Sequence, residues 1–354
     1  MNILITGVGG PTPRSFAHSL KTFGNIFKEA HLIATDINPL SIGLYQSDLF
    51  SHSYVIPRAD AANYWEVIER IVNEHNIEVA VILPEFEVMA WSKRAKEGLL
   101  PCKVFLPNPD INEILIDKSK MTDILQDLDI VPPSVAFERN ETNHNTIFDK
   151  LGRDFWVRSS SGTSGLGSLR VDGLESLHNW IEINPGVKHF LASKFLPGRN
   201  LACKLLYWNG KLLRSACGER VNYIMAKVAP SGITGNTSFG RLINEPELVG
   251  VAVKAMDRVF EHTKAEKHGF FTVDFKEDET GKPYITEINV RHVAFTQCFA
   301  AAGANFAEDT IRLMTNDKSF DKKYKMYEFE KGTIFLRDVD ERPLLIKETM
   351  LLKQ

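Results

Sequence analysis

The first hundred residues alternate short apolar runs with longer stretches that are apolar on one side only. The apolar runs, rich in β-branched residues, are Asn2–Thr6, Leu32–Thr35 and Val79–Leu83. Between them, Arg14–Phe27 and Asn63–His75 carry apolar residues at helical spacing. This succession of strands and helices is typical of βαβ units, so we expect a parallel sheet with crossover helices.

The pattern changes after the proline-rich turn at 107–109. Beyond residue 134, apolar runs follow one another more closely, which indicates antiparallel pairing and an α+β organisation. The Asn209-Gly210 dipeptide is the strongest short-range hairpin signal in the chain. Two hairpins are predicted, Leu201–Trp208 with Lys211–Glu219 and Phe270–Phe275 with Pro283–Val290. The predicted fold is therefore α/β followed by α+β.

Composition and charge exclude several classes of function. The 354 residues include 42 Lys+Arg and 45 Asp+Glu, a formal net charge of -3, so neither nucleic acid nor an anionic membrane is an expected partner. No apolar run approaches the roughly 18 residues that span a bilayer. The four cysteines form no C-x-x-C pair, and the amino terminus has no signal-peptide pattern. These features predict a reduced, cytoplasmic protein of two or three domains.

The second hairpin carries a candidate metal site. Glu287 and Asn289 are two residues apart on one predicted strand, so their side chains share a face, and Asp274 on the paired strand can join them. Carboxylate and amide oxygens are ligands that Mg²⁺ accepts, and Arg291 beside them would hold phosphoryl oxygens. The alternative is that these are solvated polar positions of an edge hairpin.

A loop rich in serine and glycine, at 159–168, follows Arg158 directly. Its backbone N–H groups could wrap a phosphate, as a lid over a nucleotide does. It lacks the Lys-Ser or Lys-Thr ending of a Walker A motif, and a loop of this composition also serves as a plain connection between strands.

The turn Gly7–Gly10 follows a strand and precedes a helix, which suggests a dinucleotide site with Asp36 as the ribose acceptor. Thr12 stands where the third glycine of that motif belongs, so a tight turn without NAD is the preferred interpretation. Glu85 and Glu87 end another parallel strand, at the edge where α/β proteins bind ligands.

Taken in order, these motifs resemble the ATP-grasp superfamily, in particular its carbamoyl-phosphate-synthetase-like and biotin-carboxylase-like branch. The resemblance covers about residues 1–315 and implies an N-terminal Rossmann-like pre-ATP-grasp domain followed by a two-subdomain ATP-grasp fold. The motifs that carry it are Asp117–Met121, Trp156–Gly162 with its glycine loop, Ser193–Gly198 and the hairpin from Asp274 to Arg291. The implied boundaries are a first domain at 1–108, a subdomain with the lid at 109–190, a subdomain with the metal site at 191–315 and a C-terminal extension at 316–354.

The resemblance also implies roles for single residues. Lys118 and Arg158 would bind the nucleotide phosphates, and Lys194, Phe195 and Leu196 would form the hinge that reads the adenine. The residues assigned to the lid are Ser161, Gly162, Ser164 and Gly165. Mg²⁺, with Mn²⁺ as an alternative, would be held by Asp274, Glu287 and Asn289. Arg291 and Arg158 would act in catalysis, whereas the Gly7–Gly10 turn and Glu85 would face the acid or the acceptor.

The implied activity is an ATP-dependent ligase. It would activate a small-molecule carboxylate as an acyl phosphate, release ADP and phosphate, and pass the acyl group to an amine; relatives often form homodimers. Alternatives are a bicarbonate-activating enzyme, a nucleotide-binding regulator without turnover, and an NAD-dependent enzyme. The chain departs from the family at Ser193 and Asn200, where acidic residues are usual, and this affects the contacts to adenine and ribose. Arg220 lies where relatives present substrate-side groups, but the resemblance gives it no specific role.

Overall fold

The protein is described by a computed structural model that covers residues 1–141, 143–162, 168–338 and 352–353. In these residues the strands form one parallel sheet and two sheets in which neighbours are mainly antiparallel. The chain therefore has the mixed α/β architecture that the sequence predicted. Across the same residues, no helix is both long and apolar enough to cross a membrane.

The first sheet is parallel throughout, as predicted. Its strands are β1 (Asn2–Thr6), β2 (His31–Asp36), β3 (His52–Val55), β4 (Val79–Val81) and β5 (Lys103–Val104), in the order β3-β2-β1-β4-β5. The helices between them are α1 (Pro11–Lys21), α2 (Tyr64–Glu74) and α3 (Glu85–Lys96). Helix α1 begins earlier than predicted because proline fits the first turn of a helix. Since β1 is central, its carboxyl end places the Gly7–Gly10 turn at the middle of the sheet edge.

The second sheet is antiparallel and lies in the middle of the chain. Two helices precede it, α4 (Pro109–Leu115) and α5 (Lys118–Leu125). Its elements are β6 (Ser134–Glu138), α6 (Asn145–Leu151), β7 (Phe155–Ser159), β8 (Leu169–Val171), α7 (Leu174–Ile183) and β9 (His189–Lys194). The strand order is β6-β9-β7-β8, and α6 and α7 bury Ile147 and Leu177 in a separate small core against it.

The third sheet is the largest. Its elements in chain order are β10 (Asn200–Trp208), β11 (Lys211–Tyr223), β12 (Thr237–Ile243), α8 (Pro246–Thr263), β13 (Gly269–Glu277), β14 (Pro283–Asn289), α9 (Thr296–Ala301), α10 (Phe306–Met314), β15 (Lys325–Met326) and β16 (Ile334–Leu336). The order is β14-β13-β10-β11-β12-β16, with β15 beside β11. Both predicted hairpins form, and Asn209 and Gly210 take the positive φ angles (45° and 85°) of the predicted tight turn.

Helix α10 joins the third sheet region to the first. Its residues Ala307, Ile311 and Met314 are buried in the same core as Ile3 and Phe16. Side chains from the other side of α10, such as Phe306 and Leu313, belong to the core of the third sheet. This shared packing connects the first and third sheets through one helix.

Glu87 is a buried carboxyl group at this edge of the first sheet. It accepts a hydrogen bond from the Tyr64 hydroxyl, which in turn accepts one from Trp91 Nε1 at 2.8 Å. Burial raises the pKa of Glu87 from 4.5 to about 7, against the smaller lowering effect of the hydrogen bond from Tyr64. As the pH rises past 4.5, the unfolded chain therefore releases this proton before the folded protein does, and the folded state loses stability until about pH 7.

We expect Glu87→Gln to remove this loss, because a neutral amide can accept the same hydrogen bond. Relative to the wild type, the variant should gain about 3 kcal/mol of unfolding free energy between pH 4.5 and pH 7.5. Urea denaturation at several pH values measures the unfolding free energy of each protein. The titration of other groups affects both proteins equally and cancels in the difference between them. Parallel pH profiles for the two proteins would contradict the raised pKa.

Candidate active site

Strands β13 and β14 bring the three predicted metal ligands together. Asp274 pairs with Glu287 across the ladder, and Asn289 pairs with Thr272. Asn289 Nδ2 donates a hydrogen bond of 3.1 Å to Asp274 Oδ2, so the two side chains share a face as predicted. A bulge between Asp274 and Phe275 shifts the register next to the site.

Lys118 from helix α5 and Arg158 from strand β7 approach Glu287. Lys118 begins α5, whose first turn is capped by the Asp117 side chain. Lys118 Nζ lies 3.2 Å from Glu287 Oε1 and donates a hydrogen bond of 2.8 Å to the Gly162 carbonyl oxygen. Burial alone would raise the pKa of Glu287, but the charges of Lys118 and Arg158 hold that pKa below its ordinary value. Glu287 is therefore an ionised carboxylate with two cations facing it.

Asp274 has the features of a cation ligand. Its Oδ1 is buried and accepts no hydrogen bond from the described residues, although Arg220 Nη1 lies 3.3 Å away. Burial raises the pKa of Asp274 to about 6, while Arg220 acts to lower it. Among the described residues, no three His, Cys, Asp or Glu side chains form a metal-binding group. The site instead offers two carboxylates and an amide, a set that fits Mg²⁺ when phosphate and water oxygens complete it.

A cavity of about 420 Å³ lies between the second and third sheets. Lys118, Arg158 and Glu287 line one part of it, and Phe195 and Leu196 line another. Nε of Arg158 is buried without a hydrogen-bond partner in the described residues. The cavity therefore combines an apolar part, of the kind that suits a flat ring, with a cationic part of the kind that suits phosphates.

The predicted hinge and lid residues differ in their positions relative to the cavity. Lys194 lines the cavity, but its N–H is bonded to the Pro133 carbonyl oxygen and its ammonium group lies 3.2 Å from Glu279. Gly162 lines the cavity and Ser161 does not, and both residues are exposed. The remaining predicted lid residues, Ser164 and Gly165, lie outside the described residues. Ser193 and Asn200, where the family usually has acidic residues, both line the cavity.

A second cavity, of about 300 Å³, lies between the third sheet and the edge of the first. Gly7 and Gly10 from the predicted turn line it, and so does Arg291. Arg291 Nη2 donates a hydrogen bond of 3.1 Å to Glu85 Oε1 at the start of α3. Gly7 has a φ of +70°, and a Cβ there would meet Pro84, so glycine allows the close approach of these two loops.

The two cavities meet at one wall. Residues that line both are Arg220, Gly235, Asp274 and Glu287. A group bound at the metal ligands would therefore face the larger cavity on one side and the smaller on the other. Asp36, the ribose acceptor of the NAD alternative, is instead bonded through both carboxylate oxygens to the N–H groups of Gly9 and Asn38.

Arg220 is the charged residue of this wall to which sequence analysis gave no role. Its Nε donates to Thr237 Oγ1 at 3.0 Å and its Nη2 to the Gly235 carbonyl oxygen at 2.7 Å. The guanidinium lies over the rings of Tyr223 and Phe295, at 5.0 and 5.6 Å from their centroids. These contacts fix Arg220 at the junction of the cavities, beside Asp274.

No protein-family model matches the chain, and no curated protein matches it in sequence. Solved structures do match in fold. N5-carboxyaminoimidazole synthetase from Staphylococcus aureus, complexed with ADP, aligns over 95% of this chain and 79% of its own, with a TM-score of 0.67 and 15% identity.

Two further solved structures have the same arrangement. The biotin carboxylase domain of Hydrogenobacter thermophilus 2-oxoglutarate carboxylase, a dimer with MgADP and bicarbonate, aligns over 91% of this chain and 71% of its own, with a TM-score of 0.66 and 15% identity. L-amino acid ligase from Bacillus licheniformis aligns over 88% and 73%, with a TM-score of 0.62 and 16% identity. The chain thus shares the fold of these three proteins, which are ATP-grasp enzymes of the kind that its motifs resemble.

Proposed function

We propose that this protein is an Mg-ATP-dependent ligase that activates a carboxylate as an acyl phosphate and transfers the acyl group to an amine. The observation that carries the proposal is the wall shared by the two cavities, in which Asp274 and Glu287 face both. Nucleotide on one side and acid on the other would bring the γ-phosphate and the attacking carboxylate together at this wall.

On the nucleotide side, the proposed contacts follow from position and charge. Phe195 and Leu196 would contact the adenine, with the carbonyl of Lys194 as an acceptor at the ring edge. Lys118 and Arg158 would neutralise phosphate oxygens, and Lys118 would exchange its present contacts with Glu287 and Gly162 for contacts with the nucleotide. The lid role of Ser161, Gly162, Ser164 and Gly165 stays a prediction.

The metal ligands and Arg291 would act at the centre. Asp274, Glu287 and Asn289 would hold Mg²⁺, which when bound supplies positive charge to the phosphate oxygens. An oxygen of the acid would attack the γ-phosphorus, and the bond from phosphorus to the ADP oxygen would break. Arg291, held by Glu85, would stabilise the charge on the acyl phosphate. The amine nitrogen would then attack the acyl carbon, lose a proton and expel phosphate.

The proposed domain assignment follows the three sheets. We assign residues 1–108 to a Rossmann-like pre-ATP-grasp domain that presents the acid or acceptor side, and 109–190 and 191–315 to the two ATP-grasp subdomains. Residues 316–354 are assigned to a C-terminal extension, part of which adds β15 and β16 to the third sheet. Formation of a homodimer stays a prediction.

The first test is calorimetric binding of Mg-ATP. We expect micromolar, magnesium-dependent binding to the wild type and its loss in a Glu287→Ala/Asn289→Ala double variant whose folding is checked by circular dichroism. Failure of the wild-type protein to bind Mg-ATP would contradict the proposal.

A turnover screen then identifies the acid. With hydroxylamine as the nucleophile, an acyl phosphate is trapped as a hydroxamate, and ADP with phosphate accumulates. Release of AMP and pyrophosphate would contradict the acyl phosphate route. Bicarbonate belongs in the screen, because the biotin carboxylase domain with the same fold contains it; ATP hydrolysis that needs bicarbonate and no organic acid would favour that substrate.

A further inference from the structure

One oxygen of Asp274, Oδ1, lies beside the Arg220 guanidinium and in the proposed function would also bind Mg²⁺. Oδ2 of Asp274 accepts the hydrogen bond from Asn289, whereas Oδ1 faces Nη1 of Arg220. The separation of 3.3 Å is longer than the roughly 2.7–2.9 Å of a strong charged hydrogen bond. In the proposed function, the same carboxylate is a ligand of Mg²⁺, so both cations cannot keep their full interaction with it.

Arg220 does not depend on Asp274 to stay in place. The hydrogen bonds of its Nε and Nη2 to Thr237 and Gly235, and the rings of Tyr223 and Phe295, hold the guanidinium independently. If Asp274 changed partner, the Nη1 group would remain at the wall of the two cavities. It would then present its N–H bonds to whatever anionic oxygen occupies that wall.

We propose that Arg220 is a positioning residue that serves as the counter-cation of Asp274 until a divalent metal replaces it. This inference rests on the proposed function, because it assumes that Asp274 is a metal ligand. Arg220 compensates the charge of the buried carboxylate and orients it before the metal binds. After the exchange, Nη1 is directed to an anionic oxygen of a substrate at the shared wall.

The exchange has a measurable consequence for metal affinity. A metal that must displace a guanidinium binds more weakly than one that meets a free carboxylate. Removing the positive charge of Arg220 should therefore strengthen metal binding even though it weakens turnover. A residue whose only role is packing would show the opposite or no effect on metal affinity.

The experiment is a titration with Mn²⁺ alone, followed by the electron paramagnetic resonance signal of the free ion. Arg220→Met should bind Mn²⁺ about tenfold more tightly than the wild type. Arg220→Lys, which keeps the charge, should lie closer to the wild type. Arg241→Met is the matched control, since Arg241 pairs with Glu219 at 2.9 Å and lines neither of the two cavities. The Mn²⁺ affinity of this variant should equal that of the wild type.

A double-mutant cycle tests whether the effect passes through Asp274. In an Asp274→Asn background, Arg220→Met should change the Mn²⁺ affinity by less than about twofold, because the contested carboxylate is gone. Unchanged or weaker Mn²⁺ binding by Arg220→Met in the wild-type background would overturn the inference while leaving the proposed function intact. If the wild type itself bound no Mn²⁺, with or without ATP, the proposed function would fail first. Circular dichroism checks the fold of each variant, and Arg220→Gln, which also removes the charge but can still donate a hydrogen bond, replaces Arg220→Met if that variant does not fold.

Discussion

Replacing Glu287 by glutamine should lower the rate of ATP turnover by about 10³-fold or more. Glu287 is the one side chain of the shared wall that also contacts Lys118, at 3.2 Å. The amide keeps the shape of the side chain but loses the charge that a metal and Lys118 would need. ADP release, measured with a coupled assay at saturating ATP and the acid identified in the screen, gives the rate.

Glu219→Gln is the matched control for this variant. Glu219 lies on β11 of the same sheet, with β13 and β10 between it and the strand of Glu287. Its side chain is also largely shielded from solvent, and it pairs with Arg241 at 2.9 Å. We expect its turnover to remain within about twofold of the wild type, because Glu219 lines neither of the two cavities and solvent reaches its partner Arg241. Turnover of Glu287→Gln within tenfold of the wild type would contradict the role proposed for Glu287.

The placement of the metal ligands shows which part of the site the alternation of side chains along a strand could predict. Two residues on one strand share a face, so the common direction of Glu287 and Asn289 followed from their spacing alone. The pairing of Asp274 with Glu287 depended on the hairpin register, which a bulge changes beside the site. A register error of one residue would have turned Asp274 to the other face. The sequence could therefore predict the cluster but not its register.

Arg220 shows what this reasoning missed. Its partners Gly235 and Thr237 come from the loop and strand that follow, and Asp274 from a strand further along. A signal was nevertheless present in β11, where Ala216 and Gly218 share the face of Arg220 and are small and buried. A charged residue at the next position on such a face indicates a site rather than a solvated edge.

The sequence pattern did not predict contacts between elements that are distant in the chain. The bond between Arg291 and Glu85 joins residues 206 positions apart, and it exists because α10 packs against both the first and third sheets. Local pattern carries no information on such docking. Strands β15 and β16 were also not predicted, since runs of two and three residues among charged neighbours show no clear alternation.

Replacing Lys118 should have the second large effect on ATP turnover, and Lys120 provides a matched control. Lys118 and Lys120 both lie in the first turn of α5, but Lys118 is buried against Glu287 and Gly162, whereas Lys120 is exposed. Lys118→Met keeps the length of the side chain and removes the charge. We expect the rate of ATP turnover to fall by about 10² to 10³-fold, with weaker ATP binding, because one of the cations that face the transferred phosphoryl group is lost.

Lys120→Met should leave both turnover and ATP affinity near the wild-type values, since its charge is in solvent. The comparison separates a local contact from a general effect of net charge, because both variants lose one positive charge from the same helix turn. Steady-state kinetics with varied ATP, together with calorimetric binding of Mg-ATP, measures the two effects. Equal losses in the two variants would mean that the helix needs its charge for stability, whereas a loss confined to Lys118→Met assigns that lysine to the nucleotide phosphates.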